Sequence, residues 1–185
     1  MKKNYDYFKT LKLLSELVSV IYEKALLKQD FSSDRIHFFA EKSELINNLK
    51  NEFITPLERG DIFLLEESLS EELNSIFTLY EYLNLINCKD FEEIKSFDEV
   101  LKSQNKIFSQ LGNFKSNVKL FERCSEEIKY LNTEKKSIEK RVVDALKCKR
   151  EQPLIKYALY SEFLCLNKKI YKTILQIERI LIDNS

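Results

Sequence analysis

The stretch Phe53-Ile54-Thr55-Pro56-Leu57-Glu58-Arg59-Gly60-Asp61-Ile62 decides how the rest of the chain is read. Proline has no N–H to donate and pushes the residue before it away from helical backbone angles, so a helix must end before Pro56. The same residues open the next helix. Thr55 is its expected N-cap and Pro56 its expected first helical residue, with Glu58 three residues after the cap as in a capping box.

Upstream of this junction, apolar residues at helical spacing mark two helices. The nearer runs from about Asp34 to Phe53, with Ile36, Phe39, Ile46, Leu49 and Phe53 as its expected stripe; the first runs from about Tyr5 to Lys28, with Phe8, Leu11, Leu14, Val18, Ile21 and Ala25 on one face. Turn and cap formers from Gln29 to Ser33 separate them. Downstream, the third helix carries Ile62, Leu65, Leu69, Leu73, Ile76, Tyr80 and Leu83 to about Ile86. Asp90 followed by Glu93 opens a fourth, with Ile94, Phe97, Leu101, Phe108 and Leu111, which Gly112 and Asn113 end. A fifth spans about Ser116 to Lys149 through Phe121, Cys124, Ile128, Leu131, Ile138, Val142 and Ala145. Pro153 starts the sixth, which holds Ile155, Leu159, Leu166, Ile170, Ile177 and Leu181. Short connections imply antiparallel neighbours. The expected fold is all-α: an elongated six-helix bundle forming one domain over 1–185, built from two three-helix pseudo-repeats, 1–87 and 88–185.

Composition removes many chemistries. With 2 Gly, 2 Pro and no Trp in 185 residues, the chain lacks the glycines that phosphate loops, dinucleotide fingerprints and nucleophile elbows require. His37 is the single histidine, which leaves His-based triads and His-rich zinc motifs without partners; it is expected to be a partly buried structural residue. Cys88, Cys124, Cys148 and Cys165 form no C-x-x-C pair and are expected as reduced thiols, with only Cys148 in an electropositive setting, between Lys147 and Lys149. Thirty acids balance thirty bases, which argues against broad nucleic-acid binding. Residues 1–50 carry 9 basic and 7 acidic side chains, 51–100 carry 3 and 13, and 101–185 carry 18 and 10, so acidic and basic helices are expected side by side. No apolar run approaches the roughly 18 residues of a membrane span, and a soluble cytoplasmic protein without membrane insertion is expected. Acids stand four apart at Asp30/Asp34, Glu67/Glu71 and Glu122/Glu126; such pairs arise by chance on the solvated faces of a charge-rich helical chain.

The junction stretch resembles the Phe-Ile-Thr-Pro-x-Asp-Arg-Glu-Asp-Ile signature of the PhoU-like family of phosphate-transport accessory proteins, in the branch associated with Pit-type phosphate permeases. Phe53, Thr55, Pro56, Glu58, Arg59 and Asp61 carry the likeness, with Glu58 in place of the usual aspartate and Gly60 in place of a glutamate. Length, six-helix order and the pattern from Leu120 to Val143 resemble the family as well. Arg59 lies where a helix dipole disfavours a cation, so a carboxylate partner from another helix is expected for it.

The resemblance implies a PhoU-like bundle and, in related proteins, iron or zinc clusters held by Glu/Asp-x-x-x-Asp motifs. Here those positions fall on Arg35 and Phe39, on Ser70 and Asn74, on Glu134 and Ile138, and near Cys165 and Lys169. Glu67, Glu71 and Glu134 are the acids left for residual metal binding. The expectation is therefore no metal, no cofactor and no catalytic residues. The implied role is that of a non-enzymatic accessory or regulatory protein of phosphate transport, bound to a membrane phosphate transporter or a regulatory protein at the inner face of the membrane. Lys168, Lys169 and Lys172 are its expected partner-binding cluster, and a homo-oligomer is compatible with the sequence. Two alternatives stay open: a carboxylate-site metal-binding helical protein, and a helical adaptor with an unrelated partner.

Overall fold

The computed structural model describes residues 5–52, 55–85, 95–112, 118–147 and 153–184. They form α1 (Tyr7–Leu26), α2 (Ser32–Asn51), α3 (Arg59–Leu85), α4 (Lys95–Gln110), α5 (Val118–Lys147) and α6 (Pro153–Asp183). No strand occurs among the described residues, and the chain is all-α as its periodicity predicts. The expected features at Phe53, Ile54, Asn87 to Ile94, Asn113 and Cys148 to Gln152, with the side chain of Phe97, lie outside the described residues.

Local chemistry sets the helix ends. Asp6 caps α1 by accepting from the Lys9 N–H at 3.0 Å. At the other end Lys28 N–H donates to Ala25 O and Gln29 N–H to Lys24 O, with Lys28 at φ 54°. This is a Schellman closure. A lysine holds the left-handed position usually given to glycine. Asp30 then folds back on Ser32, accepting from its N–H at 3.0 Å and its hydroxyl at 2.6 Å. That turn delivers Phe31 into the core, stacked on Phe77 and edge-on to Tyr80.

The α2–α3 junction departs from expectation by three residues. The Thr55 hydroxyl donates to Leu57 O at 2.6 Å instead of capping a helix, and Pro56 precedes α3. The first carbonyl to accept helical bonds is that of Glu58, from the N–H groups of Asp61 and Ile62. Glu58 is therefore the N-cap residue. Leu57 and Ile62 then occupy the two positions of a hydrophobic staple, and both are buried.

Polar contacts between helices fix their directions. Lys24 meets Asp34, and the Tyr5 N–H meets Glu52, so α1 and α2 run oppositely. Lys42 meets Glu66 and Arg35 covers the Phe77 ring, which reverses α3 against α2. Ser15 with Asn105 and Glu23 with Lys102 reverse α4 against α1. Asp61 with Gln176 and Ser75 with Lys169 reverse α6 against α3, and Ser125 with Glu178 and Asn167 with Leu131 O reverse α6 against α5. The helices thus alternate up and down. Packing runs around a circuit of α1, α3, α6, α5 and α4 back to α1, with α2 against α1 and α3. One apolar cluster draws on all six helices and joins the two halves of the chain. Acidic α3 lies against α6, whose Lys172 pairs with Glu71, as the charge distribution predicts.

The expected stripe of α2 needs correction. Ile36 is 71% exposed and Phe39 39% exposed, while Phe38, Leu45 and Leu49 face inward. His37, expected to be partly buried, is exposed and stands 3.4 Å from Glu41 on the same helix face. On α5, Phe121 is 40% exposed; Leu120 takes the inward position. If this register is correct, Phe38→Ala costs about 3–5 kcal/mol and Phe39→Ala under about 1 kcal/mol. Urea denaturation of the two variants measures both, and equal losses would contradict the register.

Candidate functional site

Two polar clusters bear on the expected site residues: the α2–α3 junction, and a seam along α3 that holds the buried Glu66, Glu72 and Ser75. At the junction the Arg59 guanidinium donates to the Glu52 backbone carbonyl. This main-chain carbonyl at the end of α2 stands in place of the carboxylate from another helix expected for Arg59. Asp61, at the start of α3, accepts from Gln176 Nε2 of α6 at 3.2 Å. Burial pushes its carboxyl above the usual range; the charges of Glu58 and Asp183 add to this, while Arg179 opposes it. Pro56, Glu58 and Arg59 are exposed and Thr55 is half-buried. The signature residues fasten one end of α3 to α2 and α6.

The seam is built on α3. Glu66 is 1% exposed, pairs with Lys42 of α2 at 2.7 Å and accepts from Ser70 Oγ at 2.6 Å. One and a half turns on, Glu72 is fully buried between α3, α4 and α6. Its Oε2 accepts from Gln104 Nε2 of α4 at 2.9 Å, and its Oε1 accepts from the Thr173 hydroxyl of α6. Gln104 and Thr173 are themselves 0% exposed. Burial pushes the Glu72 carboxyl up to about 7; the hydrogen bonds from Thr173 and Gln104 and the Lys169 charge hold it down, and Glu71 adds a small upward push.

The three lysines expected as one docking cluster separate. Lys169 turns inward, where its ammonium donates to Ser75 Oγ at 2.7 Å and to Glu71 O at 3.0 Å. Ser75 in turn donates to Cys165 Sγ at 3.8 Å. Lys168 is exposed, and Lys172, also exposed, stands 3.4 Å from Glu71. The helical period explains the split: Lys169 lies one turn before Thr173 on the face against α3.

The acids left for residual metal binding do not converge. Glu67 is exposed on α3, Glu71 is engaged by Lys172, and Glu134 lies on α5. No group of three His, Cys, Asp or Glu side chains is gathered among the described residues. Of the cysteines, Cys124 is buried and its thiol is pushed up to about 12, chiefly by burial; Cys165 is half-buried, and both are free thiols.

The residues that sequence reasoning missed are Glu72, Gln104 and Thr173. Each is a polar residue standing in phase with its helix's apolar stripe: Glu72 between Leu69 and Ile76, Gln104 between Leu101 and Phe108, Thr173 between Ile170 and Ile177. That phase was the available signal. Compared with known proteins, the chain matches no family model and no curated protein.

The two ion pairs of α3 differ in solvation, and so in worth. Lys42→Ala leaves the buried Glu66 with only the Ser70 hydroxyl and is expected to cost about 2–3 kcal/mol, the lysine's partial exposure reducing the loss expected for a fully buried pair. Lys172→Ala breaks a solvent-exposed pair and should cost under about 1 kcal/mol. Chemical denaturation at low and high salt checks both, because only the exposed pair is screened.

Proposed function

We propose that the protein is a non-enzymatic accessory protein of phosphate transport that acts by contact with a membrane phosphate transporter or its regulatory protein at the cytoplasmic face. The observation that carries this reading is the ten-residue stretch 53–62, which resembles the PhoU-like signature; the six helices of the chain are compatible with the bundle that this resemblance implies. No helix among the described residues is long and apolar enough to cross a membrane, so a partner in the membrane would be met from outside the bilayer.

Within this reading the signature serves the fold and the outer surface serves the partner. Asp61 and Arg59 are committed to α6 and to the Glu52 carbonyl, and Lys169 to α3. Lys168 and Lys172 remain outward on α6. Exposed charges of this kind steer association and fix orientation more than they supply affinity. Contact through them is therefore salt-sensitive.

Phosphate uptake in cells lacking the protein is expected to change, and the Lys168→Glu/Lys172→Glu variant, with Lys169 left intact to preserve the fold, is expected to recover less transporter in a low-salt affinity pull-down. Unchanged uptake in the deletion strain, with no transporter component recovered by the native chain, would refute the assignment.

A further inference from the structure

Thr173 has one hydroxyl hydrogen and two acceptors within its reach: Glu72 Oε1, and the Lys169 backbone carbonyl at 3.1 Å, one turn earlier on α6. This permits two hydrogen-bond arrangements of Glu72 and Thr173 with every heavy atom in the same place, while Gln104 Oε1 is unpartnered in both. In the first, Glu72 is a carboxylate, Thr173 donates to Oε1 and Gln104 donates to Oε2. In the second, Glu72 is a neutral acid whose Oε1–H donates to Thr173 Oγ1, Thr173 donates to Lys169 O, and Gln104 still donates to Oε2. Adding or removing one proton reverses the Glu72–Thr173 bond and strands neither Glu72 nor Thr173.

We propose that Glu72, Thr173 and Gln104 form a proton-binding site at the meeting point of α3, α4 and α6, so that the strength with which α4 and α6 are held to α3 depends on whether Glu72 is neutral or charged. The inference is independent of the phosphate-transport reading, since it rests only on the buried network.

The surroundings favour a proton over a resident charge. From α3, Glu71 faces the site with like charge; from α6, the Lys169 ammonium is the opposing charge, but it is hydrogen-bonded to Ser75 and Glu71 O and not to Glu72. α4 contributes the neutral Gln104. α1 meets α4 beside Gln104 through the neutral Ser15, which donates to Asn105, and the charges that act on Glu72 are those of Lys169 and Glu71. The Glu66–Lys42 pair lies one and a half turns away and is closed on itself. A fully desolvated carboxyl with one indirect counter-charge holds its proton to about 7, against 4.5 in an unfolded chain. Between those values the folded chain binds more protons than the unfolded one, so stability falls as pH rises from 4.5 to about 7; this group adds no slope above or below that window.

Carbon-detected NMR of the glutamate side chains in the full chain, with Glu72 assigned through its backbone, tests this directly on the native protein. The Glu72 carboxyl is expected to titrate near pH 7, about two and a half pH units above the solvent-exposed glutamates. A midpoint below about 5.5 would overturn the proposal. Thermal unfolding of Glu72→Gln, which imitates the neutral acid, gives a second reading. Its melting temperature should match the native protein's at pH 4.5 and exceed it at pH 8 by roughly 5 °C or more. Parallel curves across that range would also overturn it.

Discussion

A carboxyl group with no access to water sits where three helices meet, and the arrangement of the bundle follows from what that group requires. An unpartnered buried carboxyl is costly, so each Glu72 oxygen needs a partner at hydrogen-bond distance. Gln104 supplies one from α4 and Thr173 the other from α6. A hydrogen bond tolerates only a few tenths of an ångström, which is far less than the rise of one residue along a helix. Once Glu72 is placed, the heights of α4 and α6 beside α3 are set. The surrounding leucines and isoleucines supply the larger, non-directional part of the stabilisation, but such contacts are compatible with more than one register.

The other interfaces are pinned in the same way. Asn105 bridges Ser15 and Ser19 between α4 and α1, at 2.5 and 2.8 Å. Glu66 and Lys42 hold α2 to α3, Asn167 reaches the Leu131 carbonyl between α6 and α5 at 3.2 Å, and Ser125 donates to Glu178 between the same helices at 2.8 Å. A chain made almost wholly of helices with similar apolar stripes has few other means of telling one neighbour from another. Its equal numbers of acids and bases are used partly for this purpose: Glu66, Glu71 and Asp61 each face a named partner on another helix.

The all-helical class and the order of six helices were legible because long amphipathic periods, two prolines and the turn at 29–33 all agree. Finer features were not. In α2 only Phe38, Leu45 and Leu49 are fully inward, and so sparse a stripe fixes helical phase poorly; reading Ile36 and Phe39 as core followed from that. Thr55 fits an N-cap by its spacing to Glu58, yet its hydroxyl is taken by Leu57 O, a competition that residue types alone do not reveal. Glu72 was hidden by its neighbours. In Glu66-Glu67 and Glu71-Glu72 one acid of each pair faces the interior and the other is open to solvent or paired near the surface, a distinction made only when α4 and α6 are in place. Lys169 illustrates the reverse: in a run of lysines it reads as surface, and it lies against α3.

A double-mutant cycle on Glu72 and Gln104 addresses the central claim, that a directional bond inside the core holds α4 to α3. Unfolding free energies at pH 7.5 are needed for the native chain, Glu72→Leu, Gln104→Leu and the double variant. If the pair is coupled as the structure shows, the double variant loses less than the sum of the single losses by at least about 1 kcal/mol, because each single change strands the other's polar group in the core. Additivity within about 0.3 kcal/mol would contradict the account.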